Sequence, residues 1–220
     1  MVEAVSENRR EQVKQELLAK ADQLWAAFET YDVVLEDASK NYIARQTMSE
    51  EGIICTMMKY RCDGLTLEQW EQWRQDPTLV ATQLNPKLQR ELLPDDEGHK
   101  VILLKMKMPL VISNRSIITC FYEAEKEDGT KIIFHSSRGN EEIAAANAAK
   151  IGKDVIGNNA ITYMSWKPYE GGIELQNLTE MDPCGSIPDF IKKKMAKRMA
   201  NGLQILVDYL QTGAKPEPIF

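Results

Sequence analysis

One long amphipathic helix ends a chain that otherwise reads mostly as strand, and it must close over whatever those strands build. The strand-like segments stop at Asp182-Pro183-Cys184-Gly185-Ser186-Ile187-Pro188. Beyond them the spacing predicts a single helix over about 188–211. Pro188 suits the first turn, where no backbone donor is needed, and Asp189 complements the positive end of the helix dipole. Gly213 and Pro216 mark the stop. Ile191, Met195, Met199, Leu203, Leu206 and Leu210 recur by threes and fours on one apolar face. Lys193, Lys194 and Lys197 lie opposite, with Lys192 and Arg198 at the edges of the stripe.

At the other end, Val13, Leu17, Ala21, Leu24 and Phe28 predict a first helix between Ser6 and about Thr30. Short strands are expected over 43–47 and 53–62, broken by Asp63-Gly64. Thr66 to Gln69 resembles a capping box and opens a helix to about Gln75, with a further short helix to about Leu84. Leu88–Leu93 is a weak strand, and Lys100–Met108 alternates well. Two hairpins follow, 116–124 with 131–137 and 161–166 with 173–181. Between them the alanine-rich segment 141–152 reads as a short helix ended by Gly152 or as a loop.

A chain of 220 residues can bury a sizeable core without disulfides or metals. Cys55, Cys62, Cys120 and Cys184 form no CxxC pair, and with only His99 and His135 beside them they suggest reduced thiols rather than zinc ligands. No cofactor is expected. No apolar run reaches the eighteen residues a membrane span needs, and Met1–Glu11 lacks the apolar core of a secretory signal, so a cytoplasmic location is expected. The net charge of −6 disfavours nucleic acid as a partner. There is no Gly-x-Ser-x-Gly elbow, glycine-rich phosphate loop or His-Glu-x-x-His, and both histidines are expected to be non-catalytic.

Two motifs sharpen this outline. Pro109-Leu110-Val111-Ile112-Ser113-Asn114-Arg115 enters a strand, and Asp182-Pro183-x-Gly185-x-Ile187-Pro188 enters the last helix. Together with Leu84-Asn85-Pro86, they resemble the START (steroidogenic-acute-regulatory-related) family of lipid-transfer domains over residues 40–212. The resemblance implies an α+β helix-grip fold, with a curved antiparallel sheet closed by the C-terminal helix. It divides the chain into an N-terminal helix (1–38), a lipid-binding domain (39–212) and a tail (213–220). It also implies a protein that binds one lipid in an internal apolar tunnel, for transfer between membranes or for lipid sensing; a monomer is expected. The positions where the sterol-carrying branch has an acid and an arginine fall on Ile102 and Phe121. Both are apolar, which favours a phospholipid or other acyl-chain lipid over a sterol.

Strand parity supplies the expected lining. Lys105 and Lys107 face water, so Ile102, Leu104, Met106 and Met108 face inward. The family match places Ile117, Thr119 and Phe121 inward as well. Glu174 and Glu180 are expected to face out, which sends Asn177 and Thr179 in. These two meet either backbone and buried water or a lipid's polar group. Met195, Met199 and Leu206 on the closing helix complete the lining, the methionines as plain core or as a pliable wall. Gly202 marks either close packing or room for a ligand. Lys192, Lys193, Lys194, Lys197 and Arg198 form either a solvated face or a dock for an anionic membrane surface. The alternative to a lipid carrier is an interaction module whose cavity is filled by its own side chains.

Overall fold

The N-terminal helix and the sheet meet through a stripe of fully buried side chains. In the computed structural model, which describes residues 2–49, 51–75, 84–85, 87–94, 98–109 and 112–214, helix α1 spans Val2–Ala26. Val13, Leu17 and Ala21 of its apolar stripe pack on one face of a large sheet, and Phe28 follows in a 3₁₀ turn. Burying Val13, Leu17 and Phe28 contributes about 1.5–3 kcal/mol each, and Ala21 less. That holds the helix against the sheet more firmly than its own propensity could.

Among the described residues the sheet has ten strands: β1 (Asp32–Asp37), β2 (Tyr42–Met48), β3 (Ile54–Asp63), β4 (Leu88–Leu93), β5 (Val101–Met106), β6 (Arg115–Glu125), β7 (Lys131–Ser136), β8 (Val155–Ile156), β9 (Asn158–Tyr169) and β10 (Gly172–Asp182). Their order is β1-β2-β3-β10-β9-β7-β6-β5-β4, antiparallel throughout, with β8 paired in parallel to β6. The sheet thus brings the chain's last strand against its third. Strand β1 had no counterpart in the sequence pattern.

Helix α2 (Leu67–Gln75) begins with the expected capping box: Gln69 N–H donates to Thr66 Oγ1 at 3.2 Å, and Thr66 N–H donates to Gln69 Oε1 at 3.0 Å. Segment 141–151 is two short helices, α3 (Glu141–Ala146) and α4 (Ala148–Ile151), ended by Gly152 at φ 66°. The expected helix up to Leu84, Pro86, the Leu110–Val111 pair, the Asp189 side chain and the tail beyond Ala214 lie outside the described residues.

The single helix expected over 188–211 is instead two successive helices, α5 (Asp189–Ala200) and α6 (Gly202–Thr212). The break has a local cause. Asn201 turns its side chain back to donate to Lys197 O at 3.0 Å, and Gly202 follows with the poorest helix propensity short of proline.

The sheet separates two apolar layers. Its outer face (Met57, Val101, Leu103, Ile118, Tyr122, Phe134, Leu178) meets α1. Its inner face (Met58, Tyr60, Ile102, Phe121, Met164, Trp166, Leu175) meets α2 and α6 through Trp70, Trp73, Leu203, Leu206 and Val207. Glu180 corrects one expectation. It does face outward, but that side is covered by α1, so Glu180 is only 2% exposed and pairs with Lys20 instead of water.

Candidate functional site

Helix α5 lies across the inner face of the sheet. On one side, Gln46 Nε2 of β2 donates to Ala196 O at 3.2 Å, and the Tyr42 hydroxyl donates to Ala200 O. On the other, Ile191 and Met195 pack with Met106, Met108, Ile112 and Ile187. The strands between β2 and β5 run beneath the helix.

The turn into α5 is held by two side chains. Asp182 Oδ1 accepts from Cys184 N–H at 2.7 Å. The Arg115 guanidinium, 2% exposed, donates to Pro183 O and Cys184 O at 2.9 Å each and also to Ser113 O. Both residues act as sequence reasoning expected, tying down a loop. Three of the five guanidinium N–H groups donate to these carbonyls, one from each nitrogen, so the buried charge is met by backbone dipoles.

Between the ends of β3 and β10 and the underside of α5 lies a cavity of about 330 Å³. Ile53, Ile54, Met181, Ile187, Met195 and Met199 line it together with the 182–185 turn, and Lys192 and Glu51 also border it. Its volume lies at the small end of ligand pockets, which run about 300–1,000 Å³.

Register carries the site inward from this cavity. Ile54 and Met181 border it, and two residues further along each strand come Thr56 and Thr179. These belong to a polar row that crosses the inner face: His135 opposes Thr162, Thr162 opposes Thr179, Thr179 opposes Thr56, and Thr56 opposes Gln46. Gln46 Nε2 donates to Thr56 Oγ1 at 2.9 Å. His135 opposes Phe121 and stacks on it with ring centroids 4.6 Å apart. The next row inward (Ile133, Met164, Asn177, Met58, Ala44) is apolar except for Asn177. A belt of uncharged polar groups therefore lies between the cavity and the apolar floor packed by α6.

The expected lining residues divide among these zones. Ile102, Phe121 and Leu206 are buried in the floor cluster, and Leu104 packs against it. Met106 and Met108 join the cluster beneath α5. Ile117 is buried near Gly157, where an added Cβ would come within 3.0 Å of it. Thr119 is fully buried and bonded to His135. Asn177 Nδ2 donates to Tyr163 O at 3.1 Å, and Thr179 Oγ1 donates to Asn177 Oδ1 at 3.3 Å. Only Met195 and Met199 of the expected set border the described cavity. At Gly202 an added Cβ would meet no atom within 4 Å, so close packing is not why glycine stands there. Lys193, Lys194 and Lys197 are exposed, as is Lys192, while Arg198 is half-buried and burial lowers its pKa.

His135, Asn159, Thr162, Thr56 and Gln46 were not among the expected site residues. Their signal was pairing rather than composition: once Phe121 faces inward, its cross-strand partner His135 does too.

No family model matches the chain, and no curated protein matches it by sequence. Solved structures do. Human StAR-related lipid transfer protein 5 superposes with a TM-score of 0.68 at 14% identity, covering 93% of this chain and 98% of that one. A STAR-related lipid transfer protein from Xanthomonas axonopodis gives 0.62 at 15% identity, covering 83% and 99%. Human STARD10 gives 0.56 at 14%, covering 90% and 89%. The expected α+β helix-grip architecture is present, and the chain has the fold of the START domains.

Proposed function

We propose that the protein binds one lipid between the inner face of the sheet and its terminal helices, and carries it between membranes. The observation that supports this most is the methionine-walled cavity beneath α5, at the end of an otherwise closed apolar interior. Two of the superposed structures are named as StAR-related lipid transfer proteins, which points the same way. An acyl chain leaving a membrane exposes methylenes at about 0.8 kcal/mol each, so a carrier must replace that apolar environment. At about 30 Å³ per water-sized group, the cavity as it stands holds about eleven. A two-chain lipid needs more, and α5 supplies it by moving about the Asn201–Gly202 break.

The apolar Ile102 and Phe121 favour an acyl-chain lipid over a sterol, with phospholipid the first class expected from the sequence. The ligand contacts in this proposal are Ile102, Leu104, Met106, Met108, Ile117, Thr119, Phe121, Asn177, Thr179, Met195, Met199, Gly202 and Leu206. Lys192, Lys193, Lys194, Lys197 and Arg198 dock the carrier on anionic membrane, reversibly and as a monomer in the cytoplasm. The protein does no chemistry on the lipid. No helix among the described residues is long and apolar enough to cross a membrane, so contact would be peripheral.

A second proposal has one observation in its favour. The floor is tightly filled, with Trp70 and Ile102 fully buried and Ile173 and Leu175 at 1% exposure, as in an interaction module with no guest. Transfer of a fluorescent lipid from donor to acceptor vesicles separates the two. A carrier raises the transfer rate in proportion to its concentration; a filled module leaves the spontaneous rate unchanged.

A further inference from the structure

Arg198 is the one member of the basic cluster on α5 that does not face water. Lys192, Lys193, Lys194 and Lys197 are exposed, whereas Arg198 is half-buried. Helical spacing explains the difference. Arg198 stands on the inner stripe of α5, seven residues on from Ile191, three on from Met195 and four before Gly202. Asn201 keeps a right-handed helical conformation, so the stripe runs on into α6. Among the described residues, nothing forms a hydrogen bond or ion pair with the Arg198 guanidinium. Other half-buried arginines are engaged: Arg45 donates to Glu29 and to Tyr31 O, and Arg74 to Glu71 and Glu123. Burial lowers the pKa of Arg198, the mark of a cation that has given up water and gained no acid.

The stripe faces β5. Ile191 and Met195 pack in one cluster with Met106 and Met108, and farther along Leu206 joins the floor cluster with Ile102. Between these two anchor points the helix presents Arg198 and Gly202, and the strand presents Leu104. That stretch is not filled. A Cβ added at Gly202 would meet no atom within 4 Å. Leu104 and Met106 keep accessible surface, although β4 and β6 flank their strand on both sides. On β4 the positions sharing this face are Leu88, Arg90 and Leu92, opposite Met106, Leu104 and Ile102. None of them is acidic, and Arg90 adds a second positive charge. The result is a slot between α5 and β5 with apolar walls and one uncommitted guanidinium.

We infer that Arg198 is the anion-binding residue of this slot, and that the ligand is an amphiphile with a compact negative head, a phosphate monoester or a carboxylate, on an acyl tail. A guanidinium presents its N–H donors in a fixed fork that engages two oxygens of either head at once. Half-buried, such a pair is screened less than one made by the four lysines outside. Met195, Leu104 and Met106 offer the tail an apolar path beside the head. A choline headgroup fits poorly, because its quaternary cation would lie beside two arginines with no acid to meet it. The inference rests on the lipid-binding proposal. It narrows the substrate class from phospholipids in general to acidic lipids, and it gives Arg198 to the ligand rather than to membrane docking.

The test uses lipids short enough to stay monomeric in water, so that membrane docking does not enter. Two matched pairs are titrated into the full chain and read by native mass spectrometry: dihexanoyl phosphatidic acid against dihexanoyl glycerol, and decanoate against decanol. Within each pair only the head differs. At least one acidic member is expected to load tenfold or more above its neutral partner, and the pair that shows it says whether phosphate or carboxylate is the head. Arg198→Met keeps the apolar stem and removes the charge. It should cut that preference about tenfold, the size of a charge-assisted hydrogen bond lost. Loading of the neutral members and the urea midpoint should not move, because Arg198 has no protein partner to lose. Arg198→Lys, which keeps the charge without the fork, should fall between. Acidic and neutral members loading alike would overturn the inference while leaving the lipid-binding proposal standing. So would a preference that survives Arg198→Met but is lost in Lys192→Met, the result if the head sits at the margin of the cavity instead. Loading of none of the four would sink the lipid-binding proposal itself, and this inference with it.

Discussion

Lys20 Nζ donates to Glu180 Oε1 at 2.9 Å and lies 2.8 Å from Oε2, joining the middle of α1 to the last strand across the outer face of the sheet. Glu180 is almost fully buried while Lys20 keeps about a third of its surface. Removing the lysine would strand a carboxylate in an apolar layer. Lys20→Met is expected to lower stability by about 3–5 kcal/mol, measured by urea unfolding. The double variant Lys20→Met with Glu180→Leu should recover most of that loss, since a packed apolar pair replaces the buried charges.

Gly202→Ala should do the opposite. The added methyl meets nothing, and alanine is favoured over glycine in a helix by about 1 kcal/mol. The variant is expected to melt at a higher temperature. If α5 moves about this point, it should also load lipid more slowly. A lower melting temperature would mean that the glycine serves a conformation alanine cannot adopt.

Reversing Lys192, Lys193, Lys194 and Lys197 to glutamate should abolish binding to anionic vesicles and leave the circular dichroism spectrum unchanged. Each basic residue near a membrane surface contributes about 1 kcal/mol, so four reversals exceed a hundredfold. Arg198 is left in place because it is half-buried and its loss would disturb packing. Unchanged vesicle binding in a sedimentation assay would remove the docking proposal.

His135 has a folded-state pKa of about 4, below the usual 6.5. Between those values the unfolded chain binds the extra proton and the folded chain does not. Stability is therefore full above about pH 6.5 and falls as pH drops toward 4, by up to about 3 kcal/mol from this group. The groups facing the ring, Phe121, Thr119, Asn159 and Thr162, do not titrate. Carboxylates elsewhere add their own slope, so the readout is a difference. Unfolding free energy measured from pH 7 to 4 should fall less steeply in His135→Phe than in the parent.

Burial raises the thiol pKa of Cys55 to about 12 and also raises those of Cys62 and Cys184. All four cysteines are free, with Cys55, Cys62 and Cys120 buried and Cys184 partly exposed. An aromatic disulfide reagent at pH 8 should titrate four thiols in denaturant. In the native state it should react only slowly, with Cys184 first.

The architecture was legible where single residues carry opposite preferences on alternate positions. Lys105 and Lys107 set the parity of β5, and Glu174 that of β10, and the structure places Ile102, Leu104 and Leu175 on the inner face accordingly. The motifs at 113–115 and 182–188 were read through their loop chemistry, and Arg115 and Asp182 make the contacts such chemistry requires. Other features depend on relations the pattern does not show. Glu180 was expected to meet water because nothing local announces that α1 covers its face. Strand β1 (Asp-Val-Val-Leu-Glu-Asp) lacks alternation and lies at a sheet edge, with a register shift between Val33 and Leu35. The helix break at Asn201 depends on a side chain folding back onto its own helix. The belt from His135 to Gln46 exists only through register, since its members come from five strands and none stands out in its own segment.

Native mass spectrometry of the protein, after incubation with vesicles and removal of them, tests the central claim most directly. The account predicts a species heavier than the bare chain by the mass of one lipid, with the bare chain recovered when the lipid is extracted into solvent. A bare chain alone, before and after exposure to every vesicle composition tried, would contradict it.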